Sequence, residues 1–140
     1  MADGLANASF AITLPKGEAA VEHARLALLD YLEPFALDDR VINRIEVVLE
    51  ELVSNVVRHA AEADTLSVAA ERAGDAVTIA VEDNGKPFNP FAMSEHATFN
   101  TLDDAQLGGL GIPLIKRLSR SARYERVGDS NRVTLEIAAA

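Results

Sequence analysis

The sequence contains no cysteine, which excludes disulfides and thiolate metal sites. It has no apolar run of membrane-span length. Its first residues, Met1-Ala2-Asp3-Gly4, lack the basic and apolar regions of a secretory signal, so the expected location is cytoplasmic. Basic residues are outnumbered: 13 Lys and Arg against 22 Asp and Glu, a formal net charge of −9. A phosphate backbone needs a basic surface, so direct nucleic-acid binding is not expected. Taken alone, the negative charge also reads as a simple aid to solubility. No second His or Cys stands at metal-ligand spacing from His59, which argues against zinc. There is no internal repeat and no low-complexity linker.

What remains is an ordinary globular composition, 49% hydrophobic and 25% charged over 140 residues. That is the size of one domain with a real core. Residues 1–8 read as a loose tail, followed by a domain over residues 9–140. Ser9–Leu14 alternates like a short strand, and Pro15-Lys16-Gly17 ends it. Glu18–Leu32 carries Val21, Ala24, Leu28 and Leu32 on one helical face, and Pro34 closes it. Asp38–Ala61 is the strongest helix pattern: Ile42, Ile45, Leu49, Leu52 and Val56 recur at three and four residues, with Asp38 or Asp39 able to cap its start.

Two strands, Thr65–Glu71 and Ala76–Glu82, follow around a turn at Arg72-Ala73-Gly74-Asp75. Residues 88–107 show no period, which in a compact domain marks a functional or disordered stretch. Leu110–Ser119 reads as a helix. Residues 121–127 and Arg132–Ala138 read as closing strands around Gly128-Asp129-Ser130-Asn131. Helices gathered on one face of a mixed, mostly antiparallel sheet make an α+β two-layer sandwich.

Three short stretches carry chemistry. In the main helix, Glu51, Asn55 and Arg58 fall on one stripe at about 100° per residue, beside the apolar arc; Glu50 points elsewhere. An amide oxygen is a hard ligand suited to Mg²⁺, and a carboxylate one turn away can accept a proton. The second stretch is Asp83-Asn84-Gly85-Lys86-Pro87, at the end of the alternating run Val77–Val81. A strand-end Asp can accept from an exocyclic amine, which favours adenine over guanine, and Gly85 would let the backbone approach a planar base. The third is Gly108-Gly109-Leu110-Gly111, where glycine amides and a helix N-terminus suit phosphate. It is neither a Walker A motif nor a Rossmann fingerprint. Each stretch also has a plain structural reading: a solvated helix edge, an Asn-Gly turn, a hinge with a cap. Arg58 serves equally well as a cation at a helix C-terminus.

In this order and spacing, the three stretches resemble the N, G1 and G2 boxes of the GHKL ATPases, over roughly residues 9–138. The likeness is greatest to the small anti-sigma-factor serine/threonine kinases of that superfamily. It implies the Bergerat ATP-binding fold, with ATP and Mg²⁺ as cofactors. It implies Asn55 as the metal-holding residue and Glu51 as general base. Arg58, Lys86, Gly108, Gly109 and Gly111 would face phosphates, and Asp83 and Gly85 the base. Thr134 stands where the family often has a Thr near the adenine. Residues 88–107 would form the ATP lid; they contain no Lys or Arg.

A histidine kinase normally carries a dimerising hairpin with a phosphoacceptor His ahead of this domain. The segment before the main helix offers one strand and one helix instead, and His23 lacks the phosphoacceptor surroundings. By resemblance, then, the protein would hold a sigma factor and phosphorylate an anti-anti-sigma (STAS-type) partner, as a homodimer acting without membrane or nucleic-acid contact. The alternatives are a non-catalytic ATP-binding switch module and a detached histidine-kinase-like domain.

Overall fold

A computed structural model describes residues 9–60, 62–91 and 111–139. The chain runs β1 (Ser9–Pro15), α1 (Ala20–Leu32), a 3₁₀ turn (Glu33–Phe35), α2 (Asp39–His59), β2 (Thr65–Ala73), β3 (Ala76–Asp83), α3 (Gly111–Leu118), β4 (Ser121–Val127) and β5 (Ser130–Ala138). The strands form one sheet in the order β1-β2-β3-β5-β4. All four pairings are antiparallel, so the expected mixed character is absent among the described strands. The α+β two-layer architecture is otherwise the one expected.

Both hairpins use two-residue loops, Gly74-Asp75 and Gly128-Asp129, and are tighter than the sequence suggested. Gly74 (φ +58°) and Gly128 (φ +59°) take the left-handed conformation while the following Asp does not, as a type II′ turn requires. The tail at residues 1–8, the expected lid beyond Phe91, and Gly108 and Gly109 lie outside the described residues.

The layers meet in a hydrophobic core. From α1 come Ala24, Leu28 and Leu32; from α2 come Ile45, Val48, Leu49 and Val53; from the sheet come Leu66, Val68, Ile79 and Ile137. On α2 it is Val41 that is buried at the first turn, with Ile42 only partly covered. Ile115 of α3 is fully buried in the same core. Each large buried side chain is worth about 1.5–3 kcal/mol. Exposed ion pairs such as Arg120–Asp75, at 3.1 Å, are worth about 0–1 kcal/mol. The core therefore holds the fold, and the surface pairs trim it.

Asp38 caps α2, its carboxylate accepting from Arg40 N at 2.8 Å. The chain reaches that cap through Ala36, whose φ of +50° is the one positive value at a non-glycine among the described residues. A left-handed alanine costs about 1–2 kcal/mol. Ala36→Gly relieves this and loses part of the gain to unfolded-state entropy, so a net stabilisation of about 0.5 kcal/mol is expected. Thermal or urea denaturation reads it; a clear destabilisation would contradict it.

Candidate functional site

The C-terminal half of α2, the end of β3 and the start of β5 enclose a pocket. Its apolar walls are Leu52 and Val56 from the helix, Val81 and Val133 from the sheet, and Phe88. Three polar side chains enter it: Asn55, Asp83 and Asn131. All three are buried, and buried polar groups in a pocket otherwise made of hydrocarbon are the usual means of orienting a ligand.

Asp83 is the last residue of β3. Its Oδ1 accepts two hydrogen bonds, from Gly85 N at 2.8 Å and from Asn131 Nδ2 at 3.0 Å. Its Oδ2 takes no donor from the described residues, yet it is not among the sealed, unsatisfied atoms. Among the described residues the carboxylate thus keeps one unpaired acceptor at the pocket wall.

Asn131 was not expected here. The sequence places it in a turn; in the fold it sits on β5 directly opposite Asp83 and is 4% exposed. Thr134 is the corresponding correction. On β5 the buried residues are Asn131, Val133, Leu135 and Ile137, so the two-residue period turns Thr134 to the opposite face of the sheet. There it lines a separate surface depression with Thr78 and Arg123. It does not line the pocket that holds Asn55, Asp83 and Asn131.

Gly85 is buried, and its missing side chain matters to the protein's own packing. A Cβ there would lie 3.0 Å from Asp83 Oδ1 and 3.4 Å from the methyls of Ala60 and Ala63. The side-chain space is taken by the protein's own atoms, Asp83's carboxylate first. Gly85→Ala should displace that carboxylate, destabilise the fold by about 1–3 kcal/mol, and lower ATP affinity. Calorimetry on the folded variant checks this; unchanged affinity would show that the carboxylate position is not critical.

On α2, Asn55 faces the pocket. Arg58, exposed, donates from Nη2 to Asn55 Oδ1 at 3.4 Å, a contact at the weak limit. Glu51 is half-buried one turn earlier and makes no hydrogen bond or ion pair among the described residues. Lys86 is mostly exposed and pairs with Glu62 at 3.2 Å, so its ammonium is directed to a surface carboxylate. Gly111 is the first residue of α3.

His59 stacks on Phe88 at 5.5 Å between ring centroids. His59 is exposed overall, yet desolvation of its ring first, and then the positive charge of Arg58, hold the imidazole below the usual histidine range. The first residues of the expected lid are tied down: Phe88 N donates to Asn131 Oδ1, and Phe91 is buried with Lys116 of α3 over its ring at 5.4 Å.

Among the described residues no cluster of three or more His, Cys, Asp or Glu could hold a metal. The oxygen donors at hand are few: Asn55 Oδ1 and Asp83 Oδ2 on the pocket wall, and the Glu51 carboxylate one turn before Asn55. That suits Mg²⁺, which keeps several waters and draws its other ligands from substrate phosphates; the donor set fits that ion and no dedicated protein cage.

This geometry has a known setting. The family model described as "Histidine kinase-like ATPase domain" matches residues 14–137. The chain belongs to that family. It is a GHKL-type ATPase domain, which implies an ATP site, and it resembles the anti-sigma kinases. Over 108 residues it is 42% identical to the alginate biosynthesis sensor protein KinB of Pseudomonas aeruginosa, covering 75% of this chain but 18% of that protein. Over 114 residues it is 29% identical to the serine/threonine-protein kinase BtrW of Bordetella bronchiseptica, covering 76% of this chain and 80% of that one. Among solved structures, the RsbU and RsbW domains of Rv1364c from Mycobacterium tuberculosis superpose with a TM-score of 0.69, at 24% identity, over 94% of this chain and 32% of that one. That likeness speaks for the fold.

Proposed function

We propose that this domain is an ATP-dependent serine/threonine protein kinase of the anti-sigma type, which holds a sigma factor and phosphorylates an anti-anti-sigma (STAS-type) partner, working as a homodimer. The observation that carries the reading is the pairing of Glu51 with pocket-facing Asn55 one turn later on α2, next to a carboxylate with one bare acceptor. The match to BtrW along most of that kinase's length supports the same class.

In this reading adenine lies between Leu52 and Val56 on one side and Val81 and Val133 on the other. Its amino group donates to Asp83 Oδ2. Asn55 would hold Mg²⁺, exchanging the weak Arg58 contact for the ion, and the ion's part is to neutralise phosphate charge. The amides of Gly108 and Gly109, with the start of α3 at Gly111, would meet the phosphates; Arg58 stands near enough to Asn55 to join them. Glu51 takes the proton from the partner's Ser or Thr hydroxyl as its oxygen bonds to the γ-phosphorus and the bond to ADP breaks. Phosphorylation adds about −1.5 to −2 charges to the partner, which an acidic kinase of net charge −9 is poised to repel.

A second reading is favoured by the 42% identity to KinB: the ATPase module of a sensor protein, delivering phosphate to a histidine. Reconstitution with labelled ATP and the candidate anti-anti-sigma protein separates the two. The expected product is acid-stable phosphate on a partner Ser or Thr, with loss of that complex. Acid-labile phosphate on a histidine would establish the second reading. Nucleotide-dependent complexes without transfer would leave a pure binding module.

A further inference from the structure

Every hydrogen-bonding position of the Asn131 side chain is engaged. Nδ2 donates to Asp83 Oδ1 at 3.0 Å and to Lys86 O at 2.7 Å. Oδ1 accepts from Phe88 N at 3.0 Å, from Tyr124 Oη at 2.6 Å and from Arg126 Nη1 at 3.2 Å. A backbone N–H and a guanidinium only donate. They allow one orientation of the amide, because the flipped one would set NH₂ against two donors and set its oxygen against the Lys86 carbonyl and the Asp83 carboxylate. Arg126 Nη1 also donates to Gly85 O at 2.7 Å. The β4–β5 hairpin thus clamps the loop after β3 through one locked amide and the Arg126 guanidinium.

We propose that Asn131, locked by Tyr124 and Arg126, is the positioning residue that sets purine choice at this site. With Gly85 N it occupies Asp83 Oδ1, stops the carboxylate from turning, and leaves Oδ2 as a fixed acceptor. An amino group on the purine is matched by that acceptor, and an oxo group at the same place faces it oxygen to oxygen. The proposal rests on the adenine-nucleotide reading and names what enforces it.

The test is calorimetric titration of the wild type and three variants with ATP and with GTP, alongside thermal melts. Asn131→Ala should cost ATP affinity about 10-fold or more and GTP affinity less, so the ATP-to-GTP ratio shrinks. Asn131→Asp keeps shape and places a second carboxylate against Asp83; contacting carboxylates share a proton. Its ATP affinity relative to wild type should therefore recover as pH falls from about 8 to about 5.5, a dependence that a purely structural asparagine would not produce. Tyr124→Phe removes one of three donors from the lock and should lower the ratio about 2- to 5-fold; it keeps the question decidable if the Asn131 variants do not fold. A wild-type ratio in Tyr124→Phe and in a folded Asn131→Ala, or a pH-independent deficit in Asn131→Asp, overturns the proposal. Failure of the wild type to bind ATP would strike the nucleotide reading itself, before any variant is compared.

Discussion

Asp83→Asn is expected to lose about 100-fold in ATP affinity while melting close to the wild type. The fold survives because the new side chain's oxygen can still accept from Gly85 N and Asn131 Nδ2, as Oδ1 does now. What changes is the other atom. Where the carboxylate offers Oδ2 to the pocket, the amide offers NH₂, and a donor then meets the adenine amino group. Both a lost charge-assisted hydrogen bond, worth about 1.5–3 kcal/mol, and a donor–donor clash work in the same direction. The same NH₂ suits an oxo group, so GTP should bind the variant no worse than it binds the wild type. Calorimetry with both nucleotides reads the two arms. Equal ATP affinity in variant and wild type would remove Asp83 from base recognition.

Glu51→Gln should separate binding from chemistry. Glu51 is not part of the pocket wall, and glutamine matches it in shape and helix propensity. ATP affinity and stability should therefore stay near wild type. The amide cannot accept a proton, and losing a general base costs about 10²- to 10⁴-fold in rate. Phosphotransfer to the partner, followed at saturating ATP, should fall by that factor. A wild-type rate would return Glu51 to the role of a solvated helix residue.

Much of this fold is legible in the sequence where the signal is local. The apolar stripe of α2 is read nearly to its ends, Asp39–His59 against Asp38–Ala61, because three-four periodicity and a capping Asp are both present. The hairpins are readable from Gly-Asp. The adjacency of β3 and β5 is not: between Asp83 and Ser130 lie α3 and β4, and no local pattern says which strand β5 inserts beside. The place of Asn131 opposite Asp83 is therefore not readable from any local pattern. Thr134 is a different kind of miss. Val133, Leu135 and Ile137 already alternate against it, and that period alone sets Thr134 on the other face of the sheet. The sequence marks Gly85 as a place where the backbone could approach a base; only coordinates show that Asp83, Ala60 and Ala63 already crowd the position of a Cβ there.

The measurement closest to the central claim is a crystal structure of the protein with Mg²⁺ and a non-hydrolysable ATP analogue. The predicted result has the purine between Val56 and Val133, its amino group on Asp83 Oδ2, Asn131 unmoved, and the metal on Asn55 Oδ1 with Glu51 near the γ-phosphate. A nucleotide seated elsewhere, or one in this pocket with its amino group turned away from Asp83, would contradict it.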